Sequence, residues 1–369
     1  MKKTNSVYHL TVFTVFIGIL LTFSIVYLVN LLTQRDSAIA PQCYDGSVIT
    51  EAEPFSVLRR NVYQSKKNLS LVHEYQYRLF GIVNSTSVIT GEDDFLFEIE
   101  DTENNYNYIK DYIGDHAFSE EEMSLILNHL RQTKSVYENR GAEYLLVIIP
   151  NSQTVYSECM PSYLGTIAED TRLNVLSDYL FDHGFYHFID LTEDLREAKQ
   201  DGLLYNNTEN SLNSLGSYYA YQAVYRRFSP NVLANSKMLE RGDLDFYQHM
   251  TAGKSVAREA GLSDVVKNHT VSLSNRTKLN YRFMHNGGVS STTFRLPFYI
   301  PSHTSDSPEL LLQFSNTWER LQAEPFFSNT FSKVTYQTDL SDNQTIFTEA
   351  APRVVIQFIY ENELSQLLQ

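Results

Sequence analysis

The side chains with chemical potential gather in one stretch, Leu203–Phe228, which reads LLYNNTENSLNSLGSYYAYQAVYRRF. Its first half is a short polar loop with Asn206, Glu209, Asn210 and Ser211 close together, and its second half, from Leu215-Gly216, reads as the start of a helix. No histidine lies within it. A hydroxyl whose pKa is far above 7 does not take up a proton as imidazole does, so the stretch carries an acid but no histidine base. The tyrosines Tyr205, Tyr218, Tyr219, Tyr221 and Tyr225 fit two readings: they line a sugar-binding groove, or, at helical spacing, they form core and rim. Tyr205 and Asn206, with Asn151 upstream, are the candidate substrate-binding residues. Elsewhere, His183 and His187 flank a helix-to-strand link, and His269, His285 and His303 lie in or near a later irregular segment that could fold over a site. C-x-x-C, G-x-G-x-x-G and P-loop spacings do not occur, and the H-x-x-x-H spacing of His183 and His187 straddles Gly184 at a helix-to-strand link rather than lying on one helix face, so neither a metal nor a cofactor is expected.

The loop needs a scaffold, and the pattern around it supplies one. Ser87–Phe97 holds two short apolar runs around Gly91-Glu92-Asp93-Asp94 and predicts a hairpin. Ser119 with Glu122 forms a capping-box signature that opens a helix to about Asn139, with Gly141 as its stop. Tyr144–Ile149 is an uninterrupted apolar run, the mark of a strand covered on both faces. A helix is predicted over Ile167–His183, a strand over Phe185–Leu191 and a short helix over Thr192–Lys199. Beyond the helix that ends near Phe228, Ser229–Ser307 breaks the rhythm and reads as an insertion over the sheet edge. Within it Leu239–Gly261 looks amphipathic, and Asn286-Gly287-Gly288 looks like a hairpin. Strands then return at Leu310–Phe314, Lys333–Gln337 and Arg353–Tyr360, with a helical turn at Trp318–Leu321. Alternating strands and helices predict a mostly parallel sheet with helices on both faces.

A chain of 369 residues, 43% hydrophobic and 13% aromatic, carries enough apolar surface for a large α/β core. Its formal charge of −15 lacks the basic footprint that nucleic acid requires, so no nucleic-acid partner is expected. Leu10–Leu32 is apolar except for Thr, Ser and Asn30, and its length suits one transmembrane helix. Lys2 and Lys3 precede it and no basic residue follows before Arg35, which puts the N-terminus in the cytoplasm and the rest outside. A cleaved signal peptide, with Ala38-Ile39-Ala40 as the cut, is the other reading. The expected organisation is a cytoplasmic tail over residues 1–9, the helix over 10–32, a linker over 33–58 and one ectodomain over 59–369 that contains the insertion 229–307. Cys43 and Cys159 either pair across this organisation or stay as two thiols.

Several motifs together resemble the DHHW family of bacterial cell-surface proteins and the related alginate O-acetyltransferases. In that family a loop T-D-x-H-W-x-x-x-G carries the acid and base of a Ser-His-Asp site; here the frame reads Thr208-Glu209-Asn210-Ser211-Leu212-Asn213-Ser214-Leu215-Gly216. Ile148–Tyr156 with Met160-Pro161 is similar to the family's "v-x-P-x-x-x-x-I-Y … L-P", Leu310–Thr317 to "L-L-V-x-x-D-S-F/Y", and Glu361–Leu364 to "E-R-x-L". The resemblance implies a three-layer SGNH hydrolase-like domain. It places the acid on Glu209, the base on Ser211 and the nucleophile on Asn316, with Ser315 one residue before. Only the acid survives in kind. The implied role is a membrane-anchored, single-pass, catalytically degenerate component of cell-surface polysaccharide modification or secretion. Its partners would be a membrane-bound O-acyltransferase or polymer synthesis and export complex and the polysaccharide itself. The alternative is an active O-acetyltransferase or acetylesterase with Ser315 as nucleophile and a base from the insertion.

Overall fold

Tyr144–Ile149 is covered on both faces because the strand containing it lies inside a seven-stranded sheet, as the computed structural model of the chain shows. The structure describes residues 85–274, 281–284, 298–301, 307–314, 322–337 and 352–368, with isolated positions at 74, 75, 77–79, 83, 277 and 279. All of these belong to the second of two compact units, Met1–Asn61 and Val62–Gln369. Leu10–Leu32, Cys43, Ser315, Asn316 and the Trp318–Leu321 turn lie outside the described residues. Among the described residues no helix is long and apolar enough to cross a membrane.

The strands in chain order are β1 (Val88–Thr90), β2 (Leu96–Glu98), β3 (Glu100–Asp101), β4 (Tyr106–Asn107), β5 (Glu143–Ile149), β6 (Phe188–Asp190), β7 (Phe246–Ala252), β8 (Lys267–Leu273), β9 (Tyr281–Met284), β10 (Phe298–Pro301), β11 (Glu309–Phe314), β12 (Lys333–Gln337) and β13 (Val354–Tyr360). The helices are α1 (Tyr108–Tyr112), α2 (Glu120–Glu138), α3 (Ser152–Val155), α4 (Arg172–Asp182), α5 (Thr192–Ala198), α6 (Ser214–Arg227), α7 (Ser255–Glu259) and α8 (Glu324–Thr330). The main sheet runs β6-β5-β13-β11-β12-β10-β9. Its first five strands are mutually parallel, and β10 and β9 close one edge in antiparallel fashion.

The two-residue alternation of a strand sorts β5 into two cores. Leu145, Val147 and Ile149 pack with residues of α5, α6 and α8, among them Leu195, Tyr218, Tyr221 and Phe326. Tyr144, Leu146 and Ile148 pack with Ile126 and Leu130 of α2 and with Leu173, Leu176 and Leu180 of α4. The result is the expected helix-sheet-helix sandwich.

Local signals hold where they are strong. Ser119 accepts from the Glu122 N–H while the Glu122 carboxylate accepts from the Ser119 N–H, so the capping box that opens α2 is complete. β1 and β2 form the hairpin, reversed by Asp93 and Asp94, both in the left-handed region at φ of 53° and 63°. Short acidic side chains tolerate that conformation better than branched ones.

Other boundaries shift. The helix expected from Ile167 begins at Arg172, because the Thr171 hydroxyl accepts the Asn174 N–H and caps the helix there. The strand expected over Phe185–Leu191 shrinks to β6. The amphipathic piece Leu239–Gly261 is a strand followed by a short helix, and β7 pairs with β8 over all seven residues. The insertion also supplies β9 and β10, which extend the sheet; the Asn286-Gly287-Gly288 turn itself lies outside the described residues. Helix α8 has no counterpart in the sequence reading.

Candidate functional site

The candidate site is the loop that ends at α6. Asn213 holds its end: the Oδ1 atom accepts the Leu215 and Gly216 N–H groups at 2.9 and 3.1 Å, and the Nδ2 atom donates to the Leu203 carbonyl at 2.7 Å. A Tyr205–Leu212 bridge closes the loop at its base. Gly216 is required because a Cβ there would overlap the Leu204 carbonyl oxygen. The spacing from Thr208 to Gly216 is therefore set by a cap and a close backbone approach, not by the reactive residues it carries.

Inside the loop the Ser211 hydroxyl donates to Glu209 Oε2 at 3.0 Å, and the Asn206 amide donates to Ser211 Oγ at 2.9 Å and to Glu209 Oε2 at 3.3 Å. Ser211 is thus bonded to the acid in the position where the resemblance puts a histidine. Ser211 and Asn206 are buried and Glu209 is partly exposed. The three side chains bond to one another and include no imidazole to act as a general base.

The insertion strand β8 covers the loop. Asn268, fully buried, accepts from the Thr208 hydroxyl at 2.8 Å and reaches Asn206 Oδ1 at 3.5 Å, and the His269 N–H donates to Asn207 Oδ1 at 2.6 Å. Neighbouring strand residues face opposite ways, so the His269 side chain points away from the face on which Asn268 meets the loop. His183 bonds through Nδ1 to the Tyr179 carbonyl and stacks on the Tyr179 ring at the far end of α4. His187 precedes β6, at the amino end of the parallel strands, where open α/β sheets do not place their sites. His285 and His303 lie outside the described residues. Strand β11 ends at Phe314, next to Ser315 and Asn316, which the described residues do not include.

The candidate substrate-binding residues turn inward. Tyr205 is fully buried and its hydroxyl donates to the Pro150 carbonyl at 2.5 Å. Asn151 is buried as well: Asn210 Nδ2 donates to its Oδ1 at 3.1 Å, and its own Nδ2 donates to the Tyr106 hydroxyl at 3.2 Å. Tyr218 and Tyr221 sit in the core, with Tyr219 and Tyr225 at its margin, which is the core-and-rim arrangement. Among the described residues Cys159 has no disulfide partner, and burial pushes its thiol up to about 11.

Behind the loop stand two buried carboxyls, Glu361 and Asp111, and a half-buried one, Asp190, that spacing alone does not reveal. Glu361, just beyond β13, accepts the Asn151 N–H and the Thr154 hydroxyl, both at 2.7 Å. Asp111 in α1 accepts the Tyr106 hydroxyl at 2.5 Å and the Arg172 N–H at 2.8 Å. Asp190, at the end of β6, accepts from Thr192 through both its N–H and its hydroxyl. Burial raises all three carboxyls above their ordinary range, Glu361 to about 8 with Asp111 as the next cause. The motif at Glu361–Leu364 and the strand end at Asp190-Leu191, where the family has its acid-base loop next, pointed to parts of this group.

No protein-family model and no curated protein matches the sequence. Solved structures do. The chain is similar to a DHHW family protein from Eubacterium siraeum, with a TM-score of 0.54 and 12% identity over 78% of this chain and 96% of that one. It is equally similar to PatB1 from Bacillus cereus, with a TM-score of 0.54 and 12% identity over 76% and 98% of the two chains. The O-acetyltransferase domain of Pseudomonas putida AlgJ matches with a TM-score of 0.48 and 16% identity over 76% and 92%. At such identities the likeness is one of fold, and the chain shares its α/β fold with the DHHW family protein and with PatB1.

Proposed function

We propose that the protein is a catalytically degenerate SGNH-like accessory or binding component of cell-surface polysaccharide modification or secretion, held at the membrane by Leu10–Leu32 with its C-terminal domain outside. The observation that carries this reading is the Ser211–Glu209 hydrogen bond of 3.0 Å, formed where the resemblance requires an imidazole. Loss of the base or nucleophile from a triad of this kind costs roughly 10⁴–10⁶ in rate. Asn206 and Asn268 occupy the surroundings of that bond, so the loop is knitted together by amides. The polymer, and a membrane-bound O-acyltransferase or polymer-export complex, are the partners this role implies.

The test is acetyl-ester turnover by the purified full-length chain beside its Ser211→Ala and Ser315→Ala variants, with labelling by a sulfonyl fluoride as a second reading. Background turnover and no serine labelling in a cooperatively folded protein support the accessory role. Turnover well above background that Ser315→Ala abolishes overturns it and makes the protein an O-acetyltransferase or esterase.

A further inference from the structure

β7 is a strand with a single partner. It pairs with β8 over its full seven residues without a bulge, and no third strand joins the two. The other edge of β8 is taken by the candidate-site loop, where Asn207 donates to the Lys267 carbonyl and accepts the His269 N–H. Backbone groups of an antiparallel strand point alternately to its two sides. With Lys267 and His269 turned to the loop, Asn268, Thr270 and Ser272 are turned to β7, opposite Thr251, His249 and Tyr247. Phe246, Gln248, Met250 and Ala252 therefore direct their N–H and C=O groups outward. Among the described residues no backbone group bonds to them on that side.

Such an edge is a template for another strand, and proteins ordinarily blunt it with charge, proline or a bulge. β7 reads FYQHMTA and has none of these. Its Tyr247, Gln248 and Met250 side chains are exposed, Met250 at 63%. The formal charge of −15 opposes self-association over the molecule as a whole, whereas this strand carries no charged residue. Charges flank it instead, with Asp243 and Asp245 before it and Lys254 after it. None of the three has an ion pair among the described residues.

We propose that β7 is a self-pairing edge: two copies of the chain join β7 to β7, antiparallel about a two-fold axis at His249, in one continuous sheet β8-β7-β7-β8. The register follows from the strand itself. A centre at His249 opposes all seven residues, setting Gln248 against Met250 of the second copy and Phe246 against its Ala252. These are the residues whose backbone groups point outward, so each pairing exchanges both N–H···O bonds. Tyr247 then meets Thr251 across the seam, a favourable pairing of an aromatic with a β-branched side chain. Antiparallel order also brings the acidic end of one strand, Asp243 and Asp245, to Lys254 of the other. Each candidate loop, bonded to its own β8 through Asn207 and Asn268, borders one outer edge of the shared sheet. This goes beyond the accessory role and does not depend on it, because it concerns how copies associate and not what the loop binds.

A seam of one strand pair is small, so the expected Kd is roughly 1–100 μM. Sedimentation equilibrium of the full-length chain in detergent, across about that range, should show a monomer–dimer equilibrium. Gln248→Lys with Met250→Lys puts lysine opposite lysine and should weaken the dimer by at least about tenfold. Gln248→Lys with Met250→Glu changes the same exposed positions but sets opposite charges across the seam, and should restore it. Loss and recovery at the same sites separate the seam from a folding defect. In a Cys43→Ser background, His249→Cys lies on the axis and should form a disulfide-linked dimer on mild oxidation, whereas Tyr247→Cys faces Thr251 and should not. A wild type that stays monomeric throughout overturns the proposal. So does a dimer that survives the two lysines, which would place the contact elsewhere on the chain, or equal cross-linking at the two cysteine positions.

Discussion

Gln313, Gln337 and Gln357 stand side by side in the middle of the sheet, whereas Glu361, Asp111 and Asp190 gather where its parallel strands end. In the first region, strand register brings the glutamines together, Gln313 opposite Gln337 on one side and Gln357 on the other. Gln313 Nε2 donates to Gln337 Oε1 at 2.8 Å and to the Tyr137 hydroxyl at 2.6 Å, and the Tyr144 hydroxyl donates to Gln357 Oε1 at 2.6 Å. Every group there is neutral at ordinary pH, and burial pushes the Tyr137 hydroxyl up to about 12. In the second region, carboxyls face one another with one arginine beside Asp111. A row of amides satisfies itself whatever the pH, whereas burial raises the carboxyls and makes their charge depend on pH. The sheet centre thus carries rigidity, and the strand ends carry sensitivity.

The comparison can be broken by exchanging the two chemistries. Gln313→Glu places an acid among neutral partners with no cation, and it should destabilise the fold by about 3–5 kcal/mol at pH 7, as read from urea unfolding. An effect below about 1 kcal/mol would mean that the centre tolerates charge and that the two regions differ only in composition.

The reverse exchange, Glu361→Gln, sharpens it. Because the folded Glu361 titrates near pH 8 and the unfolded one near 4.5, the wild type should lose stability as pH rises through that window, by up to roughly 1.4 kcal/mol per unit. The variant should lose that part of the slope and be the more stable protein at pH 8; an unchanged slope would assign the pH dependence to other groups.

Gln313→Leu keeps the centre neutral but removes the bonds to Gln337 and Tyr137. It should cost about 1–3 kcal/mol, with no change in pH slope. The smallest effect belongs to the candidate site: Ser211→Ala removes the hydroxyl bonded to Glu209 and should cost about 0.5–1.5 kcal/mol in thermal or urea unfolding. A gain of stability would show instead that the loop is strained around that hydroxyl.

Ser119 and Glu122, the apolar run of β5 and the Asp93-Asp94 turn were legible because each signal acts within a few residues. A hydroxyl reaches an N–H three positions on, and a strand exposes its two faces in strict alternation. The frame from Thr208 to Gly216 was legible for a related reason, since its cap and its close approach to Leu204 are local constraints. That frame gave the fold, and it gave the position of Ser211 beside Glu209.

Leu239–Gly261 marks the limit of such reading. Its pattern is amphipathic without naming an element, and a partner strand about twenty residues away makes part of it β7. The role of Asn268 was equally hidden, because its match to Thr208 and Asn206 exists only once β8 has folded onto the loop. Glu361 and Asn151 are 210 residues apart, and nothing in the spacing of either announces the other. By itself the sequence determined the layers, the caps and the frame of the loop, since those depend on neighbours along the chain. Only the tertiary structure decided which polar groups lose their water together, and it is that shared burial that leaves the amide row neutral and raises the carboxyls above their ordinary range.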